Sequence, residues 1–130
     1  MILSASWVVP VSSPPISEGA VVLGDGRIRD VGPAAEILRS YPGREVREFR
    51  GSALLPGLVN VHSHLELTVL RGYLENLGFW DWIRHLTRTK YELLTREDLR
   101  ISSLAGACEA IRAGVTTLGD AMDLGTSLDA

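Results

Sequence analysis

Residues 53–61, ALLPGLVNV, form an almost unbroken apolar run that ends in His62-Ser63-His64. An apolar run without polar alternation is the pattern of a strand covered on both faces, as in a parallel sheet. A parallel strand needs a long crossover, usually helical, before its neighbour can be reached. The following sequence supplies one. A helical segment is expected from about Phe79 to Leu94. A second helix follows in TREDLRISSLAGACEAIRAG, with Thr95 as N-cap and Asp98 at N3, where an acid suits the helix start although a capping box prefers Glu or Gln. Leu104, Cys108 and Ile111 recur at helical spacing as its apolar face, and Gly114 fits the C′ stop. VTTLGD, residues 115–120, then reads as the next strand. The order strand, helices, strand predicts one right-handed βαβ unit and an α/β fold class.

Residues 1–52 have a different rhythm and are expected to form a separate β-rich region. ILSASWVVPV is β-branched and aromatic, with Pro10 marking an edge or strand end. Ala20–Leu23 and Arg27–Val31 flank Gly24-Asp25-Gly26, which suits a tight hairpin because glycine tolerates positive φ. PAAEILRSYPG reads as a short helix begun by Pro33 and ended by Pro42-Gly43, and VREF alternates as a strand.

A closed (β/α)8 barrel takes roughly 250 residues. These 130 residues hold one βαβ unit over 53–130, so the sequence reads as the opening of a larger protein with an incomplete barrel. The net charge is -3, and no Lys/Arg-rich block is present. Nucleic acid and anionic membranes are therefore not expected partners. No apolar run reaches the ~20 residues of a membrane span, and no basic n-region marks a signal peptide. The single cysteine, Cys108, rules out an internal disulfide, fits a reducing cytoplasm and reads as helix core beside Leu104, Ala107 and Ile111.

His62 and His64 fall on the same face of their strand, with Cα atoms about 6.5 Å apart at ~3.3 Å rise per residue. Two imidazoles at that separation can converge on one divalent ion such as Zn²⁺ or Fe²⁺. They would stand at the C-terminal end of a parallel strand, where barrel active sites are built. Taken alone, His-x-His also describes two polar residues where a strand emerges into solvent.

In context, PGLVNVHSHLE resembles the first metal-binding strand of the amidohydrolase superfamily. GAVVLGDGRIRDVGP is similar to the small β-sandwich that precedes the barrel in that family, and EAIRAGVTTLGDAMD to the helix leading into the second barrel strand. Arg71-Gly72 and Trp82 resemble the branch of nucleoside deaminases and s-triazine chlorohydrolases. The resemblance implies a (β/α)8 TIM-type barrel with His62 and His64 as metal ligands, zinc foremost and iron as the alternative. It also implies a metal-activated water that attacks a heterocycle carbon bearing an amino or, alternatively, a halide leaving group. The family's later ligands and its acid/base carboxylate match no residue here, so the 130-residue chain alone is expected to be inactive. A truncated, non-catalytic partner or split-enzyme subunit is the other reading. An exposed barrel edge predicts homo-oligomerisation or association with another chain.

The resemblance places Trp82 against a bound heterocycle, although Phe79, Trp82, Ile83 and Leu86 also form an ordinary apolar stripe. Glu66 is a candidate to hydrogen-bond a ring nitrogen or amino group of the substrate, or else a solvated rim residue. Glu92 lies near the position of a ribose-binding acid in the nucleoside branch. Arg71 is expected to pair with Glu66 or Glu75, or else to contact an anionic group on the substrate, Asp120 to support or cap the site, and His85 to lie outside it.

Overall fold

A computed structural model describes residues 1–130. The chain divides into two compact units, Met1–Pro56 and Gly57–Ala130.

The first unit is a four-stranded sheet in the order β3-β2-β1-β4, built from β1 (Ile2–Val8), β2 (Ile16–Gly24), β3 (Arg27–Pro33) and β4 (Val46–Leu54). β2 and β3 are joined by Asp25-Gly26, with φ of 52° and 69°. Positive φ at both central residues is what a two-residue I′ hairpin turn requires, and Asp-Gly supplies it at low cost. β1 pairs antiparallel with β2 and parallel with β4. One helix, α1 (Ala34–Ser40), contacts β2 and β3. Its Ile37 joins Ile2, Ala20 and Val22 in the core, with Ala34 and Tyr41 packed against them. Fully burying an Ile or Val side chain is worth about 1.5–3 kcal/mol, so this small cluster anchors the sheet.

In the second unit β5 (Leu58–Ser63) pairs in parallel with β6 (Val115–Asp120). The crossover holds a 3₁₀ turn (Leu65–Leu70), α2 (Phe79–Arg88), a π turn (Thr89–Leu93) and α3 (Arg96–Arg112). Strand, helices, strand is the predicted order. The capping box at α3 is complete. Thr95 Oγ1 accepts from Asp98 N–H at 3.1 Å, and Asp98 Oδ2 accepts from Thr95 N–H at 2.8 Å. Aspartate therefore suffices where Glu or Gln is the usual choice.

Three expectations are revised. The apolar run 53–61 is not one strand: β4 ends at Leu54, and β5 begins at Leu58 after Leu55-Pro56-Gly57. Nor is β5 covered on both faces, since Leu58, Val59 and Val61 are exposed, Val61 by 82%. The chain supplies this strand with only one neighbour. The buried face of α3 is Leu99, Ser102, Ser103 and Gly106, whereas Leu104, Cys108 and Ile111 are exposed. At 100° per residue the two faces lie about half a turn apart. The helix is rotated by its contact with the 3₁₀ turn, which is made through small residues. Ser102 Oγ accepts from Val69 N–H at 2.8 Å.

At Gly106 the two elements approach closely. A Cβ there would run into Thr68 Oγ1 and stand 3.1 Å from Leu65 Cδ2. Thr68 cannot turn aside freely, because its hydroxyl donates to Leu65 O at 2.8 Å. Gly→Ala inside a helix ordinarily stabilises by about 0.5–1 kcal/mol. Gly106→Ala is expected to reverse that sign and cost about 1–3 kcal/mol through overpacking, read as a lower midpoint in urea.

Candidate active site

β5 delivers His62 and His64 to its C-terminal end, both exposed. Their ring centroids are 5.0 Å apart at an interplanar angle of 87°. Strand alternation puts them on one face. His62 N–H donates to Asn60 Oδ1 at 3.2 Å, and His64 O accepts from Leu67 N–H at 3.0 Å, so His64 opens the 3₁₀ turn. Two adjacent imidazoles fit two positions of a divalent metal set. The chain has no cluster of three or more His, Cys, Asp or Glu able to hold a metal ion.

The next strand braces this end. Asp120 Oδ1 accepts from Ser63 Oγ and from Leu65 N–H, both at 2.9 Å, and Oδ2 accepts from Ser127 Oγ at 2.5 Å. Burial alone would raise the Asp120 pKa. The hydrogen bonds from Ser127, Leu65 and Ser63, with a smaller contribution from nearby His64, outweigh it and hold the carboxyl below its usual value. All three hydrogen bonds are internal, which agrees with the capping role expected from sequence.

Beside His64 lies an open hollow of about 270 Å³ lined by His64, Leu67, Arg71, Leu74, Trp82 and Leu86. Trp82 and Leu86 are half-buried members of the predicted stripe, while Phe79 at its start is exposed. Arg71 pairs with neither Glu66 nor Glu75. It makes a two-pronged contact with Glu109 on α3, at 3.0 and 2.6 Å. The turn and α3 lie together, so Glu109 is the nearer acid in space though distant in sequence. Glu92 pairs with Arg88 at 3.2 Å, and His85 is exposed on α2.

Glu66 is fully buried and so is not the solvated rim residue that was its other expected role. Lys90 Nζ donates to its Oε1, and Thr126 Oγ1 donates to its Oε2 at 3.1 Å. Lys90 also donates to Asp123 Oδ1 at 2.5 Å, and the Tyr91 hydroxyl donates to Asp123 Oδ2. This cluster joins the turn after β5, the π turn and the segment after β6. Burial pushes the Lys90 pKa down, but hydrogen bonds and charge from Asp123 and Glu66 prevail and raise it well above the usual lysine range. Hydrogen bonds from Lys90 and Tyr91 hold Asp123 down at about 2. Sequence reasoning singled out Glu66 but missed Lys90, Asp123 and Thr126. One signal was available: an acid set among Leu65, Leu67 and Leu70 needs a cation if it is to be buried.

Two family models match the chain: the amidohydrolase family over residues 53–126, and the imidazolonepropionase-like composite domain of bacteria over residues 19–43. The 5-methylthioadenosine/S-adenosylhomocysteine deaminase of Moorella thermoacetica is 34% identical over 113 residues, covering 87% of this chain and 26% of that protein. The chain thus spans about a quarter of the length of the curated relatives it matches. Helicobacter pylori aminofutalosine deaminase, solved with methylthio-coformycin, superposes with a TM-score of 0.84 at 21% identity, covering 98% of this chain and 31% of that one. An adenosine deaminase from Xanthomonas campestris with bound zinc gives 0.77 at 23% identity, covering 97% and 30%.

Lys90 is 9% exposed along its side chain and Glu66 not at all, so removing one partner leaves an uncompensated buried charge. Lys90→Met is expected to cost about 3–5 kcal/mol, and Lys90→Met with Glu66→Leu to recover most of it. The pH dependence follows the shifts. Asp123, depressed in the fold, contributes fully above about pH 4, and its contribution is lost as pH falls towards 2. Lys90, raised in the fold, contributes fully below about pH 10, and its contribution is lost only as pH rises through the folded value. Urea titrations from pH 2 to 7 are expected to show an acid loss that shrinks in Asp123→Asn.

Proposed function

The chain belongs to the amidohydrolase family, and from that premise we propose that it is part of a metal-dependent hydrolase that removes an amino group from a heterocycle or nucleoside. The observation that carries this is the imidazole pair at the end of a parallel strand, beside a hollow walled by Trp82. The 34% identity to a 5-methylthioadenosine/S-adenosylhomocysteine deaminase supports an aminated purine nucleoside as the substrate class.

His62 and His64 are proposed as two ligands of a divalent cation, zinc foremost. When bound, such a cation brings the pKa of a water molecule towards ~7 and so makes a nucleophile available at neutral pH. The chain's own residues bind and orient. Trp82 offers an aromatic face on which a heterocycle can stack, and Leu67, Leu74 and Leu86 give the hollow apolar walls. Glu66 is proposed to serve substrate binding, although it does not line the hollow beside His64. Its carboxylate is already shared between Lys90 and Thr126, so a direct contact requires Thr126 to yield.

The apolar residues bare on β5 and α3 fit an incomplete (β/α)8 barrel, whose further strands would cover them and contribute the remaining ligands and the proton-transfer groups. Residues 1–130 alone are proposed to be inactive.

The complete protein loaded with zinc is expected to release ammonia from an aminopurine nucleoside such as 5-methylthioadenosine. His62→Ala and His64→Ala are each expected to lower kcat/KM by about 10³-fold or more, and Trp82→Ala to act mainly on KM. Activity undiminished in both histidine variants would remove the metal reading. No ammonia from any amino heterocycle, with metal bound, would remove the deaminase reading.

A further inference from the structure

We propose that Asp120 is the positioning residue for His64, setting its imidazole for the cation; the inference rests on the metal reading of the histidine pair. The residues on either side of His64 are held by the same carboxylate oxygen. Asp120 Oδ1 accepts from the Ser63 hydroxyl before it and from the Leu65 N–H after it, each at 2.9 Å. The backbone of Ser63 is held independently, because its carbonyl accepts from Ala121 N–H at 2.8 Å. His64 therefore sits on a chain segment pinned on both sides by the end of β6, where its backbone turns from strand to 3₁₀ at φ −133° and ψ 75°. A segment leaving a strand would otherwise be free to pivot, and a metal ligand tolerates only a few tenths of an ångström of error.

The chemistry of the residue fits the task. Three donors, from Ser63, Leu65 and Ser127, converge on Asp120, and a carboxylate can accept from all of them. Its oxygens are thereby engaged within the chain, which suits a brace and not a ligand. His62 is tied to β6 on one side only, through Ser63, and its own backbone N–H is taken by Asn60 on the same strand. The two histidines are thus held differently: Ser63 is bonded to both, but only His64 has a residue tied to Asp120 on each side.

The test uses the complete protein and zinc alone, with affinity read by chelator competition and geometry by the visible spectrum of the cobalt-substituted form. His64→Ala sets the reference. Asp120→Ala is expected to weaken zinc binding about 10–100-fold and to shift the cobalt bands. Asp120→Asn keeps a carbonyl oxygen for Ser63 and Leu65 and is expected within about threefold of the parent, which is rescue by the conservative variant. If Asp120→Ala does not fold, Ser63→Ala decides the matter, with an expected loss of at least about threefold and a shifted cobalt spectrum. A lower melting temperature with unchanged affinity and unchanged cobalt spectrum would mean a structural role only and would overturn the inference. His64→Ala binding zinc as well as the parent would instead overturn the metal reading itself, and the inference with it.

Discussion

One carboxylate, Asp120, accepts hydrogen bonds from both sides of His64 and joins the ends of two parallel strands. Strand pairing alone brings Ser63 opposite Asp120, the last pair of the ladder. Beyond that pair the chains diverge, one into a 3₁₀ turn and the other into the segment 121–128. Hydrogen bonds from side chains replace the ladder there. The second tie is the Glu66–Lys90–Asp123 cluster, with Thr126 on the other Glu66 oxygen. The two ties hold the chain just after the histidine pair, and both draw on the segment after β6. The candidate site therefore depends on polar contacts whose partners lie between 24 and 60 residues apart in the chain.

Local features were the legible ones. Asp25-Gly26 has the residues that an I′ turn demands, and Thr95 with Asp98 caps a helix through contacts three residues apart. His62 and His64 could be placed on one face because strand alternation needs no tertiary information. The rotation of α3 was not legible. Periodicity identified a stripe at Leu104, Cys108 and Ile111, but the contact that orients the helix is made by Ser102 and Gly106. Small and polar residues carry little hydrophobic signal, yet they permit close approach, and here that decided which face turned inward. The partner of Arg71 was missed for a similar reason, since Glu109 becomes its neighbour only when α3 packs on the turn.

The exposed apolar surface of the second unit is coherent with this picture. Val61 and Ile111 are 82% and 72% exposed, each on an element whose other contacts are well formed. What these residues build is the end of one strand, its brace from the next, and one wall of a hollow.

The most direct measurement is a long-range ¹H–¹⁵N NMR spectrum of the histidine rings during a zinc titration. One ring nitrogen of His62 and one of His64 are expected to shift together and saturate at one equivalent, while His85 on α2 stays where it was. Shifts in His85 equal to those of the pair, or no shift in His62 and His64, would contradict it.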